Sequence, residues 1–143
     1  MNILDEVSAA WGWTGIVPDE LVTENEFGNL IIKDPEDKFW RICPEELTCE
    51  VVADSIDAYN VLIQDDEFNE DWFMADMVAI GEKKLGELKE GHKFCLVVPG
   101  ALGGDYDAKN IKSVAFGALI KKSGEVGKQL HDLPEGAEFK FEK

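Results

Sequence analysis

Apolar residues recur at helical spacing in Ile3, Leu4, Val7 and Trp11, which predicts a short helix over 3–13 stopped by Gly12 and Gly15. Residues 18–26 are polar and read as a connection. The run Phe27 to Ile32 predicts a strand, the Asp34-Pro35-Glu36-Asp37 group a turn, and Phe39 to Cys43 a second strand, so the pair reads as a hairpin. After Pro44, Leu47 to Val52 favours the pleated state. Asp54 offers an N-cap to a helix striped by Ile56, Tyr59, Leu62 and Ile63, and Asn69 offers another to a helix over about 70–85. Lys93 to Val98 lacks polar alternation, which predicts a central strand covered on both faces. A Gly-rich loop fills 99–110, a short edge strand follows at 111–115, and a long helix at 117–131. Phe139 and Phe141 alternate in a terminal strand over 137–141. Strands, then helices, then strands again predict an α+β fold: a mostly antiparallel sheet of about five strands with three to four helices packed on it.

Length and composition narrow the class. The 143 residues fit one domain, 1–143, with 1–26 as an N-terminal helix and connection and 27–143 as the core. Apolar content of 45%, with four Trp and eight Phe, argues for a packed interior despite a net charge of −16. That charge is lopsided. Residues 1–76 hold 20 acids against Lys33, Lys38 and Arg41, whereas 77–143 hold 10 acids against 11 lysines. Such a field repels nucleic acid and anionic lipid and draws in a basic protein partner. No apolar run reaches the roughly 18–20 residues of a membrane span. Residues 1–10 carry acids and no basic residue, unlike a secretory signal. The expected location is cytoplasmic. Three cysteines do not suit a disulfide framework, so free thiols are expected.

Few residue groups point to chemistry. Cys95 lies three residues after His92, and on a strand that spacing puts them on opposite faces. Cys43 and Cys49 lack the spacing of a zinc module, and Asp105-Tyr106-Asp107 starts like a calcium loop that Lys109 then spoils. Gly100 to Gly104 matches no phosphate-binding pattern, and Asp105 and Asp107 would repel phosphate. No catalytic residue, metal or cofactor is therefore predicted. The binding candidates are Asp65, Asp66, Glu67, Phe68, Glu70, Asp71 and Trp72, where acids alternate with aromatics, together with Tyr106 as an exposed anchor. If Trp40 faces the core, Arg41 faces the other side of its strand and pairs with one or two carboxylates. Trp40, Arg41, Gly103, Gly104 and Asn110 form a second candidate set, either a pocket or a structural support.

Three stretches together resemble a known family. They are Phe27-Gly28-Asn29-Leu30-Ile31 with Trp40 to Leu47 and Cys49-Glu50-Val51; Phe94-Cys95-Leu96 and Pro99 with Leu102-Gly103-Gly104, Tyr106 and Asn110; and Leu119-Ile120, Ser123-Gly124 and Leu133-Pro134-Glu135-Gly136. In order and spacing this set resembles the C-terminal domain of Tdi-type immunity proteins of bacterial type VI secretion systems, over residues from about 10 to 140. The resemblance implies a non-catalytic protein that neutralises a toxic effector, in that family a DNase. Such proteins often carry a further N-terminal domain, for which residues 1–26 are too short, so a stand-alone version is expected. Two other readings are a small-molecule-binding or regulatory domain with its pocket near Trp40, Arg41 and the Gly103–Tyr106 loop, and an enzyme using Cys43, Cys49 or Cys95.

Overall fold

The computed structural model describes residues 2–142. Helix α1 (Ile3–Trp11) starts where Asn2 accepts the Asp5 N–H, and it runs through a short 3-10 turn into β1 (Glu20–Glu24). Strands β2 (Leu30–Lys33), β3 (Phe39–Cys43) and β4 (Thr48–Ala53) follow, and the four form an antiparallel sheet in the order β1-β2-β3-β4. Helices α2 (Ile56–Leu62), α3 (Asp66–Phe73) and α4 (Ala75–Leu85) come next. A two-stranded hairpin, β5 (His92–Leu96) with β6 (Ile111–Ala115), leads into α5 (Phe116–Asp132). The fold is α+β, as the pattern predicts.

Alternation along the strands divides the interior. Leu30, Ile32, Trp40 and Ile42 point to one face of the sheet, where they meet Val7 and Trp11 of α1 and Phe116 and Ile120 of α5. Ile31 and Phe39 point to the other face and pack with Tyr59, Phe68 and Trp72 of α2 and α3. A third cluster joins Phe27 to Phe94, Leu96 and Ile111 beneath α4. The N-terminal helix thus shares the main core: a Cβ on Gly124 of α5 would lie 2.4 Å from the Ala10 carbonyl oxygen.

Several expectations are corrected. Residues 18–26 contain strand β1, whose two inward apolar residues, Leu21 and Val22, are too short a signal among acids. The strand expected from Phe27 begins at Leu30. Phe27 to Asn29 complete a turn in which Asn25 Oδ1 accepts the N–H groups of Phe27 (3.0 Å) and Asn29 (2.9 Å). The helix expected over 70–85 is two helices, broken at Met74 in the left-handed region (φ 50°). Asn69 lies inside α3, and Asp65 is its cap; Ser55, not Asp54, caps α2. Strand β5 is covered on both faces but is not central, because it pairs only with β6 and touches the main sheet region through one backbone bond, from Phe94 N–H to the Glu26 carbonyl, and through the Lys93 ammonium on Glu24 and the Asn25 carbonyl. Residues 137–142 form no strand.

Candidate functional site

The most connected polar residues sit where β3 ends below α3. Arg41 points away from Trp40, onto the face covered by α3, because neighbours on a strand alternate. Its guanidinium lies 5.3 Å from the Trp72 ring and 6.0 Å from Phe68. Nη1 donates to Asp71 Oδ2 at 2.5 Å, while Nε and Nη2 both donate to Asn29 Oδ1, at 3.1 and 3.0 Å. The fully buried Asn29 spends its amide protons on both Glu45 carboxylate oxygens, each at 3.0 Å. Glu45 is itself buried, and its desolvation raises its pKa above the usual carboxylate value. Burial, then the neighbouring Glu45 charge, push the Cys43 thiol well above its ordinary range. The line Asp71–Arg41–Asn29–Glu45–Cys43 is thus a continuous polar thread through the end of the sheet.

The Gly-rich loop closes over this thread. Ala101 N–H reaches the Glu45 carbonyl at 3.3 Å, and the Tyr106 hydroxyl donates to Glu46. Asn110 staples the loop, with Oδ1 taking the Val98 N–H (2.9 Å) and Nδ2 bonding the carbonyls of Val98 (2.8 Å) and Asp105 (2.9 Å). Gly104 permits the tight approach, since a Cβ there would sit 1.8 Å from the Val98 oxygen. Two open clefts, of about 670 and 560 Å³, flank the result and meet at Asp71, Met74 and Tyr106. One runs past Arg41, Glu46 and Glu50. The other follows the α3–α4 elbow past Glu70, Phe73 and Asp76. Arg41 is the only cation among their lining residues, and Asp71 already pairs with it.

The sequence-derived residues are divided by this geometry. Glu70, Asp71 and Tyr106 line the joined groove, and Arg41 lies at its inner wall. Trp72 is buried, so it supports Arg41 from below instead of standing exposed; Phe68 is half-buried beside it. Asp65 accepts the N–H groups of Glu67 and Phe68 as the helix cap, and neither it, Asp66 nor Glu67 lines the groove. Trp40 turns into the α1–α5 core and donates to Asp34 Oδ2 at 3.0 Å, so it does not meet Arg41 in a pocket. Gly103, Gly104 and Asn110 shape the loop without lining either cleft. Glu46, Glu50, Phe73, Met74 and Asp76 escaped the sequence reading, because only tertiary folding brings them together.

The thiols and imidazoles stay apart from one another's chemistry. Burial lifts Cys49 and Cys95 to about 11, so both are protonated at neutral pH. His131 packs against Trp13 with ring centroids 5.2 Å apart and planes tilted by 39°, and His92 Nδ1 faces the Glu90 carbonyl. Among the described residues, no group of three or more His, Cys, Asp or Glu could hold a metal ion, and no helix is long and apolar enough to cross a membrane.

Residues 53–126, just over half of the chain, match the family described as T6SS immunity protein Tdi1, C-terminal. The chain belongs to this immunity-protein family. The matched segment carries α2 to α4, the β5–β6 hairpin and the first part of α5, and with them the elbow at Met74 and the Tyr106 loop. Arg41, Asn29 and Glu45 lie outside it. In fold, the chain is similar to the crystal structure of Atu4351 from Agrobacterium tumefaciens, with a TM-score of 0.54 and 16% identity over 85% of this chain and 62% of that one. The chain therefore spans less than two thirds of that protein's length, and at this identity the likeness concerns the fold alone. No curated protein matches the sequence.

Proposed function

We propose that this protein neutralises a nuclease-type effector, acting in the cytoplasm without catalysis, by seating its acidic surface on the effector's basic active site. The observation that carries this reading is the charge distribution of a chain in an immunity family. Residues 1–76 carry a net −17 and residues 77–143 a net +1, and the first stretch supplies β3, β4 and α3, which wall much of the groove. A nuclease must present a basic cleft to phosphates. An acidic inhibitor is drawn to such a cleft by long-range attraction, and a few buried anchors then set the dissociation rate. Asp65, Asp66, Glu67, Glu70 and Asp71 supply the field, with Tyr106 as the contact aromatic and Phe68 and Trp72 as support beneath Arg41.

The test is protection. The toxic product of the adjacent gene is induced in cells with and without this chain, and survivors are counted. Rescue accompanied by a co-purifying complex is the expected result. Toxicity that this chain leaves unchanged, or an effector with no action on nucleic acid, would overturn the reading.

A further inference from the structure

We infer that the groove at the α3–α4 elbow, and not the acid-rich start of α3, is where the effector docks, and that it receives a lysine- or arginine-bearing segment with an apolar neighbour. This rests on the immunity reading above and names the surface and the partner chemistry.

Three features converge on the elbow. The first is shape: two clefts join at Asp71, Met74 and Tyr106, giving a concavity that Asp65, Asp66 and Glu67 do not line. The second is an apolar floor left open to solvent. Phe73 is 60% exposed and Tyr106 43%, and Met74 and Met77 line the same cleft between them. Large aromatics beside flexible thioethers form a surface that repacks around an incoming chain. The third is charge. Glu46, Glu50, Glu70 and Asp76 edge the groove without a cationic partner among the described residues, and Arg41 is fully engaged. A lysine or arginine stem can lie along Met74 and Tyr106 while its charged end reaches these carboxylates.

The alternatives fit less well. Asp65 spends its carboxylate on the helix cap, and the half-buried Phe68 beside it is held under Arg41. A second copy of this chain would set carboxylates against carboxylates across the groove, which disfavours self-association. The groove is also stiff on both sides, because Asn110 staples the loop and Asn25 Nδ2 holds the Trp72 carbonyl at 2.7 Å. A preformed site loses little freedom on binding.

The methionines give a direct probe. The chain has three, Met1, Met74 and Met77, so methyl labelling places two of three signals in the groove. The partner is the adjacent gene's toxin with its active site disabled. Adding it should shift or broaden the Met74 and Met77 signals. Glu70→Lys with Asp76→Lys, and Phe73→Ser separately, should each raise Kd about tenfold or more, all at exposed positions with unchanged circular dichroism. Asp66→Lys with Glu67→Lys should act on the association rate alone, leaving the dissociation rate within about twofold and raising Kd less than the Glu70/Asp76 pair does. Unmoved methionine signals in a formed complex, or a larger loss from the Asp66/Glu67 pair, would overturn the docking site while leaving the immunity reading intact. A dimer of the isolated protein that the Phe73 variant dissolves would also overturn it. Wild-type protein that neither binds nor protects would sink the immunity reading instead.

Discussion

Two buried carboxylates meet opposite fates. Burial would raise Asp34, but the Trp40 indole N–H and the backbone N–H groups of Lys38 and Glu36 outweigh it and hold its carboxyl below 3.8. Its contribution to stability is present above that value and is lost as pH falls through the lower folded one. Glu45 behaves in the other sense. Its desolvation outweighs the two bonds from Asn29, so its folded pKa lies above 4.5 and the folded state holds its proton longer. Stability therefore falls as pH rises from about 4.5 through the raised value, and is constant in this respect above it. Glu45→Gln should flatten that part of the profile. Losing one bond from Asn29 adds only a pH-independent offset. Urea midpoints of wild type and variant between about pH 4 and 8 read the difference in slope, and parallel profiles would show that Glu45 does not titrate there.

Helix α1 is held against α5 by close backbone approach as much as by side chains. Gly124 lies under Ala10, and the Trp13 indole N–H donates to the carbonyls of Ala10 (3.0 Å) and Gly124 (3.3 Å). Gly124→Ala forces the helices apart, because the new Cβ meets backbone that cannot swing away. It should cost about 1–3 kcal/mol in urea unfolding and alter the fluorescence of Trp11 and Trp13. A variant as stable as wild type would mean that α1 slides freely. The elements also show what sequence pattern can and cannot reveal. Helices α1 and α5 were legible because one face of each is apolar at the helical period, and strands β2 to β4 because short β-branched and aromatic runs lie between turn residues. The elbow was not, since the apolar stripe continues through Met74. What ends α3 there is Asn25, some 49 residues away in sequence, which captures the Trp72 carbonyl. The 137–141 stretch has strand-like alternation but pairs with no strand; Phe141 instead lines a cavity with Val97, Lys112 and Val114. Of the groove, sequence alone found Arg41, Glu70, Asp71 and Tyr106; their neighbours Glu46 and Asp76 carry no local mark that separates them from the other acids.

Across the whole molecule, charge opposes folding and favours association. Among the described residues the ion pairs engage six carboxylates, in a chain with 30. Most acids therefore lack a cationic partner among the described residues, and the folded state concentrates their repulsion by bringing residues 1–76 together. The same unscreened field attracts a basic partner from a distance. Salt should separate the two effects. Between about 0.01 and 0.15 M ionic strength, the screening length falls from about 30 to 8 Å. Self-repulsion weakens, so the Tm of the isolated protein should rise. Over the same range the association rate constant with the effector should fall by about tenfold or more, while the dissociation rate changes little, because the desolvated contacts of the groove are screened less than the approach. Calorimetry on the free protein and surface-binding kinetics on the complex measure the two quantities under matched conditions. A Tm that falls with salt would mean that ion pairs such as Arg41–Asp71 dominate the balance. An association rate indifferent to salt would mean that the excess of acids serves some end other than steering.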